Sequence, residues 1–119
     1  MKLAITAQGE SIESAVDPRF GRAKCFVVVD LVTDAAMNVS NSVSLNAAQG
    51  AGIQAAKTII DLGVKALITG HVGPKAFAAL QSGGVAVYPV TGGIVAEAVE
   101  KFRSGSLKPM AAADVEGHW

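Results

Sequence analysis

The chain has 119 residues, of which ten are basic and ten acidic, so its net charge gives no general attraction to nucleic acid or to anionic membranes. Half of the residues are hydrophobic and 17% are charged, which is typical of one compact domain and excludes a disordered chain. A single cysteine excludes an intrachain disulfide framework. We therefore expect a cytoplasmic protein with one domain over residues 1–107 and a weakly specified tail over residues 108–119.

Alternating apolar runs and helical patterns predict an α/β domain with the element order βββαβαβα and a five-stranded mixed sheet. Short aliphatic and β-branched runs predict strands at 2–7, 23–31, 35–43, 64–69 and 85–90. Helical apolar spacing predicts helices at 51–62, 74–81 and 92–104, each with a glycine shortly beyond its end. The first helix is expected to bury Ile53, Ala56, Ile59 and Ile60, and the third to use Thr91 as its N-cap.

The order of these elements gathers several loops at one edge of the sheet. The later strand–helix–strand units are parallel crossovers, whereas a hairpin makes the second strand antiparallel to its neighbours. The end of the first strand and the starts of all three helices then share an edge, and open α/β sheets bind ligands at such an edge. The loops expected there are 8–22, 46–52, 70–75 and 89–93.

The stretch 70–76 predicts a tight passage from a strand into a helix, because two glycines and a first-turn proline follow an apolar run. Its amide N–H groups would lie at a helix N-terminus beside His71 and Lys75, which is the chemistry of an anion site. Such turns also occur without a ligand, and His71 could instead be a structural hydrogen-bonding residue.

A second candidate is the stretch 17–23, in which Arg19 and Arg22 flank an aromatic residue and a glycine. Guanidinium groups suit anions with several oxygen or sulfur atoms, and the glycine permits close approach. The alternative is a solvated turn in which Asp17 pairs with one of the arginines. The residues alone leave both interpretations open.

Other familiar sites are absent or incomplete. The glycine-rich helix start at 50–52 loosely matches a dinucleotide fingerprint, but the preceding strand and the downstream acid are missing. The sequence contains no G-x-x-x-x-G-K-[ST] loop and no recognisable nucleophile motif. Cys25 is expected to be a small core residue, and its thiolate would be favoured only at a strand entry beside basic residues such as Lys24. These patterns favour a binding protein over an enzyme.

At these residues the sequence resembles the dinitrogenase iron–molybdenum cofactor biosynthesis family, which includes NifX, NifY, the C-terminal domain of NifB and small stand-alone relatives such as the orange protein. The resemblance extends from Met1 to about Leu107 and rests on the order and spacing of several motifs. These are Asp17-Pro18-Arg19-Phe20-Gly21-Arg22-Ala23, Gly50-Ala51-Gly52, Gly70 with Val72-Gly73-Pro74-Lys75-Ala76, and Thr91-Gly92-Gly93. The length and the single cysteine are similar to the orange-protein branch.

The resemblance implies a ribonuclease-H-like three-layer α/β/α fold without nuclease activity. It also implies a non-enzymatic carrier of an anionic metal–sulfur cluster, either a molybdenum–copper sulfide cluster or one of the iron–molybdenum cofactor type. One cysteine and one well-placed histidine cannot supply the four ligands of an ordinary iron–sulfur site. Such a cluster would therefore be held mainly by charge and backbone amides.

The residues expected to contact the cluster are Arg19, Phe20, Gly21, Arg22, Lys24, Gly50, Gly52, Gly70, Gly73, Lys75, Thr91 and Gly92. His71 and Cys25 are candidate metal ligands. A cluster-delivery or recipient protein is an expected partner, whereas nucleic acid and membrane are not. The alternative is a regulatory or scaffold domain that docks a protein partner through the same edge, and a third hypothesis is a small enzyme acting on a phosphorylated metabolite.

Overall fold

The computed structural model describes residues 1–42 and 50–113. The strands are β1 (Lys2–Ala7), β2 (Cys25–Asp30), β3 (Ala36–Ser40), β4 (Ala66–Thr69) and β5 (Ala86–Pro89). The helices are α1 (Ala51–Asp61), α2 (Pro74–Ser82) and α3 (Val95–Arg103). The predicted element order is confirmed, although Val43 and the loop residues 46–49 lie outside the described residues. Within the described ranges, no helix has both the length and the apolar composition needed to cross a bilayer.

The five strands form one mixed sheet in the order β3-β2-β1-β4-β5. β2 pairs antiparallel with both β1 and β3, whereas β1 pairs parallel with β4 and β4 parallel with β5. Only β2 therefore runs against the other strands, as the hairpin predicted. The ends of β1, β4 and β5 share one side of the sheet, which we call the carboxyl edge.

Helices cover both faces of this sheet. On one face, α1 and α2 pack over a core that includes Phe20, Phe26 and Leu67, and the two phenylalanine ring centroids are 6.0 Å apart. On the other face, α3 packs over a second core that includes Leu3 and Ile5. The predicted three-layer, ribonuclease-H-like architecture is confirmed.

The buried face of α1 differs from the predicted one. The residues buried on α1 are Ala51, Ala55, Ala56 and Ile59. Ile53 was expected in the core but is 46% exposed. Alanines turn inward here because they let α1 approach the sheet and α2 more closely than a large side chain would. Ile53 is therefore an exposed apolar side chain in the first turn of α1.

Helix α3 begins at Val95, so the prediction of Thr91 as its N-cap is wrong. The two glycines after Thr91 have φ values of 148° and 89°, outside the helical range. The N–H groups of Val95 and Ala96 donate to the carbonyl oxygens of Ser14 at 2.9 Å and Ile12 at 2.7 Å. The loop after β1 thus satisfies the first turn of α3, and this helix start is closed to a ligand.

The C-terminal segment packs against the sheet where it passes β5, which the sequence did not predict. Met110 donates its N–H to the carbonyl oxygen of Val87 at 2.7 Å, and Met110 and Ala113 contact the core under α1 and α2. Isolated apolar residues carry no periodicity, so this contact leaves no pattern in the sequence. The domain limit after Leu107 stays a prediction.

Two threonines join the ends of β1 and β4 beneath the carboxyl edge. Thr6 Oγ1 lies 2.7 Å from the carbonyl oxygen of Asp17 and 2.8 Å from Thr69 Oγ1, and both threonines are fully buried. A hydroxyl carries one hydrogen, so the Thr6 hydroxyl, which faces both acceptors, shares its single donation between the Asp17 carbonyl oxygen and Thr69 Oγ1. The Asp17 N–H in turn donates to the carbonyl oxygen of Thr6 at 2.8 Å. These bonds fix the loop that begins at Asp17 to the sheet.

Replacing Thr6 by valine is expected to lower the free energy of unfolding by about 2 kcal/mol, because the change leaves a buried carbonyl and a buried hydroxyl unpaired. Urea denaturation measures the loss. Combining it with Thr69→Val should cost less than the sum of the single changes, because the two share one bond. Thr58→Val is the control, since that hydroxyl bonds within α1 to Gln54. Additive losses would contradict the shared bond.

Candidate functional site

The arginine loop, which we define as residues 17–24, is tied to the turn after β4 by backbone hydrogen bonds. His71 donates its N–H to the carbonyl oxygen of Pro18 at 2.7 Å, and Phe20 donates to that of His71 at 3.2 Å. A Cβ on Gly70 would lie 2.6 Å from the Pro18 oxygen, so only glycine permits this approach. The predicted stretches 17–23 and 70–76 are therefore neighbours.

The first turns of α1 and α2 lie side by side next to this loop. A Cβ on Gly21 would lie 2.7 Å from the Gly52 nitrogen, and one on Gly52 would lie 3.1 Å from the Ala76 Cβ. Helix α1 follows Gly50, whose φ is 73°, and α2 follows Gly73; both N-cap residues are glycines and so supply no capping side chain. First-turn amides have no partner within a helix. Two positive ends of helix dipoles therefore meet at one place.

The arginine loop and the first turn of α2 also carry basic residues. Lys75 is exposed in the first turn of α2, Arg22 is half-buried, and the Arg19 side chain is 48% exposed. Asp17 is buried, and its Oδ1 accepts the Arg19 N–H at 2.9 Å and lies 3.6 Å from Arg19 Nε. The Asp17–Arg19 pairing of the alternative interpretation is thus present, but the carboxylate is buried rather than solvated and also closes the turn. About half of the Arg19 side chain still faces solvent.

Some residues expected to contact a ligand instead build the frame of the site. Phe20 is fully buried beside Phe26, so its ring anchors the arginine loop in the core. The space beside Gly21 and Gly70 is filled by other backbone segments of the protein. Gly50 is exposed in the α1 start, with open space beside it. Gly21 and Gly70 therefore accommodate the protein's own backbone.

Cys25 and Lys24 line a different part of the surface. The Cys25 side chain belongs to the core under α3, on the opposite face of the sheet from Phe20. Its Sγ donates to the carbonyl oxygen of Gly9 at 3.0 Å, and burial raises the pKa of the thiol, with Lys24 offsetting this only in part. The two residues line a cavity of about 230 Å³ together with Glu10, Asn38, Ser40 and Ser42. A protonated, buried thiol argues against Cys25 as a metal ligand.

Thr91 and Gly92 were predicted to contact the cluster because an open helix start was expected after them. Both residues are exposed, but the carbonyl oxygen of Gly93 accepts the Val16 N–H at 3.0 Å. Carbonyl oxygens of the loop after β1 also accept hydrogen bonds from the first amides of α3. Among the helices of residues 50–113, only α1 and α2 bring their starts to the arginine loop.

Three polar residues that support the site were missed by the sequence analysis. Thr6 and Thr69 hold the start of the arginine loop, and Asn41 holds its far end through bonds to the carbonyl oxygens of Gly21 and Ala23. Each lies at or just beyond the end of a strand, where an apolar run gives way to polar residues. A polar residue at a strand end is a signal that the sequence does contain, although it does not say which partner that residue meets.

The side chains gathered at this edge are donors and cations. In residues 1–42 and 50–113, no group of three or more His, Cys, Asp or Glu side chains is placed to hold a metal ion. A set of N–H groups and basic side chains instead suits an anion that brings its metal already coordinated.

The sequence profile of the family described as dinitrogenase iron-molybdenum cofactor matches residues 1–105. The chain belongs to this family. The match includes the arginine loop and the starts of α1 and α2, and it confirms the resemblance inferred from their motifs.

Solved structures and a sequence relative extend this comparison. The apo form of the orange protein from Desulfovibrio gigas is 44% identical, with a TM-score of 0.94 and 96% of each chain covered. A candidate NifB protein from Thermotoga, solved by NMR, is 34% identical with a TM-score of 0.84 and 98% of each chain covered. An uncharacterized protein of Methanocaldococcus jannaschii is 27% identical over 110 residues, 91% of this chain and 90% of that one. Together with the family, these similarities support a cofactor-related role.

Proposed function

We propose that this family member is a non-enzymatic carrier of an anionic, molybdenum-containing metal–sulfur cluster. The observation that carries the proposal is the pairing of two helix starts with glycine N-caps beside the arginine loop, with Gly21 packed on Gly52 and Gly52 on Ala76. Adjacent amide N–H groups can donate to several sulfur atoms of one cluster. Helix dipoles, Arg19, Arg22 and Lys75 would neutralise its charge.

The cluster in this proposal is cargo rather than a resident cofactor. The site offers few side chains that can bond a metal, so the metal–sulfur bonds would be complete before binding. His71 is the remaining candidate for a direct metal bond, because it lies in the turn between β4 and α2 and is half-buried. We favour a molybdenum–copper sulfide cluster over one of the iron–molybdenum cofactor type because the chain resembles the orange-protein branch.

The proposal is tested by adding tetrathiomolybdate and a copper salt to the purified protein under anaerobic conditions, followed by desalting. We expect a charge-transfer absorption that stays with the protein in a fixed molar ratio. Molybdate without sulfide serves as the control anion, and we expect it to be lost on the column. Failure of the wild-type protein to keep any metal–sulfur species would overturn the carrier function.

A second candidate is a domain that docks a protein partner through the same edge, and the exposure of Ile53 favours it. This side chain lies in the first turn of α1, next to the helix start. An apolar contact beside the cargo would suit a protein that delivers or receives the cluster. Ile53→Ser should then leave cluster retention unchanged and weaken only the binding of that partner.

A further inference from the structure

We propose that Asn41 is a positioning residue of the cluster site, one that sets the shape of the arginine loop without touching the cargo. The inference rests on the proposed function for its ligand. Asn41 lies just beyond the end of β3 and is 3% exposed. The motifs that identified the family do not include it.

Three hydrogen bonds join Asn41 to the far end of the arginine loop. Its Nδ2 donates to the carbonyl oxygens of Gly21 at 3.3 Å and Ala23 at 2.9 Å. Its backbone N–H donates to the carbonyl oxygen of Lys24 at 3.2 Å. Arg22 therefore lies between two residues whose carbonyl groups are both held by one amide.

At the other end of the same amide, Asn41 Oδ1 is buried and finds no hydrogen-bond partner among residues 1–42 and 50–113. Buried polar atoms without partners are rare in folded proteins and need an explanation. The amide is oriented so that its nitrogen donates both hydrogen bonds to the loop, although this orientation leaves its oxygen without a donor among the described residues. We infer that the geometry this nitrogen imposes on the loop is needed for binding.

The packing of Gly21 shows how a substitution of Asn41 would change the ligand site. Gly21 lies between the Asn41 amide and the first turn of α1, where a Cβ would come within 2.7 Å of the Gly52 nitrogen. Gly52 in turn packs on Ala76 at the start of α2. Protein interiors transmit such displacements because they are closely packed. A shift of Gly21 would therefore change the spacing of both helix starts.

The test compares Asn41→Ala and Asn41→Asp with the same two changes at Asn38, an exposed residue of β3. Tetrathiomolybdate is the probe, and its dissociation constant is measured well below the melting temperature of each variant. We expect Asn41→Ala to weaken binding about tenfold, because the arginine loop and the start of α1 would no longer be held in the geometry that binds the probe. Asn41→Asp should weaken it further, since its carboxylate would face two carbonyl oxygens. The Asn38 variants should stay within about twofold of wild type.

Amide chemical shifts of the ligand-free protein give an independent readout. We expect Asn41→Ala to move the resonances of Gly21, Ala23 and Gly52, whereas Asn38→Ala should leave them in place. Asn41→Ala that binds the probe as tightly as wild type, or leaves Gly52 unshifted, would overturn the positioning role. If the wild-type protein binds no probe but Asn41→Ala still shifts these resonances, the carrier function is wrong, whereas the hydrogen bonds from Asn41 do fix the shape of the arginine loop.

Discussion

Replacing Arg19 and Arg22 together by alanine is expected to raise the dissociation constant for tetrathiomolybdate about 100-fold. Each guanidinium that donates to an anion contributes about 1.5 kcal/mol at the low end, or about tenfold in affinity. The loop itself should survive, because Asp17 Oδ1 also accepts the Arg19 backbone N–H, which the substitution leaves intact. Equilibrium titration monitored by the charge-transfer absorption measures the loss.

Two comparisons make this result specific. Lys2→Ala with Lys65→Ala removes the same charge from the opposite edge of the sheet, where Lys65 donates its N–H to the carbonyl oxygen of Lys2. We expect that pair to weaken binding only slightly, because charges so far apart are screened by salt. Cys25→Ser should also change affinity little, since burial raises the pKa of this thiol and keeps it protonated at neutral pH. A larger loss from Cys25→Ser than from the arginine pair would mean that thiolate bonding dominates.

Gly21→Ala is expected to lower the free energy of unfolding by about 2–3 kcal/mol, which corresponds to a fall in melting temperature of about 10 °C. The new Cβ would lie 2.7 Å from the nitrogen and 2.8 Å from the Cα of Gly52. Both are backbone atoms, so neither can rotate away, and α1 must move as a unit. Binding of tetrathiomolybdate should weaken with it, because the start of α1 leaves its place beside α2.

Gly105→Ala is the matched control for this substitution. Gly105 has a φ of 76° with nothing within 4 Å of an added Cβ, so alanine there meets backbone strain but no neighbour. We expect it to cost about 1 kcal/mol and to leave binding unchanged. Thermal unfolding followed by circular dichroism compares the two variants. Gly21 is not among the glycines with a positive φ, so a loss from Gly21→Ala no larger than that from Gly105→Ala would contradict the steric contact with Gly52.

The order of the elements was predicted correctly because it depends mainly on local sequence patterns. Aliphatic runs bounded by breakers predicted all five strands, and the hairpin together with the parallel crossovers predicted their directions. The start of α3 was wrong because a neighbouring loop supplies the bonds that a capping side chain would have made. The predicted burial of Ile53 was wrong because periodicity favours large side chains for the core, whereas α1 packs through its alanines. Both errors arise from contacts between segments distant in sequence.

The sequence predicted which stretches come together, but it did not predict what their glycines contact. The stretches 17–23 and 70–76 and the helix start at residue 50 do meet, as their place at one edge required. Their glycines suggested room for a ligand, yet Gly21 and Gly70 accommodate the protein's own backbone. A sequence shows that a Cβ is absent but not which atoms occupy the space. The face of the sheet reached by Cys25 likewise depends on strand register, which the sequence leaves undefined.

The contact between Met110 and Val87 matters for anyone who shortens or fuses this protein. A chain cut after Leu107 would keep every residue of the family match, yet it would remove the hydrogen-bond donor of a carbonyl group on the edge strand β5. Unpaired strand edges recruit other chains. A fusion partner or affinity tag is therefore better attached beyond Ala113, which preserves the chain's own cover over that strand.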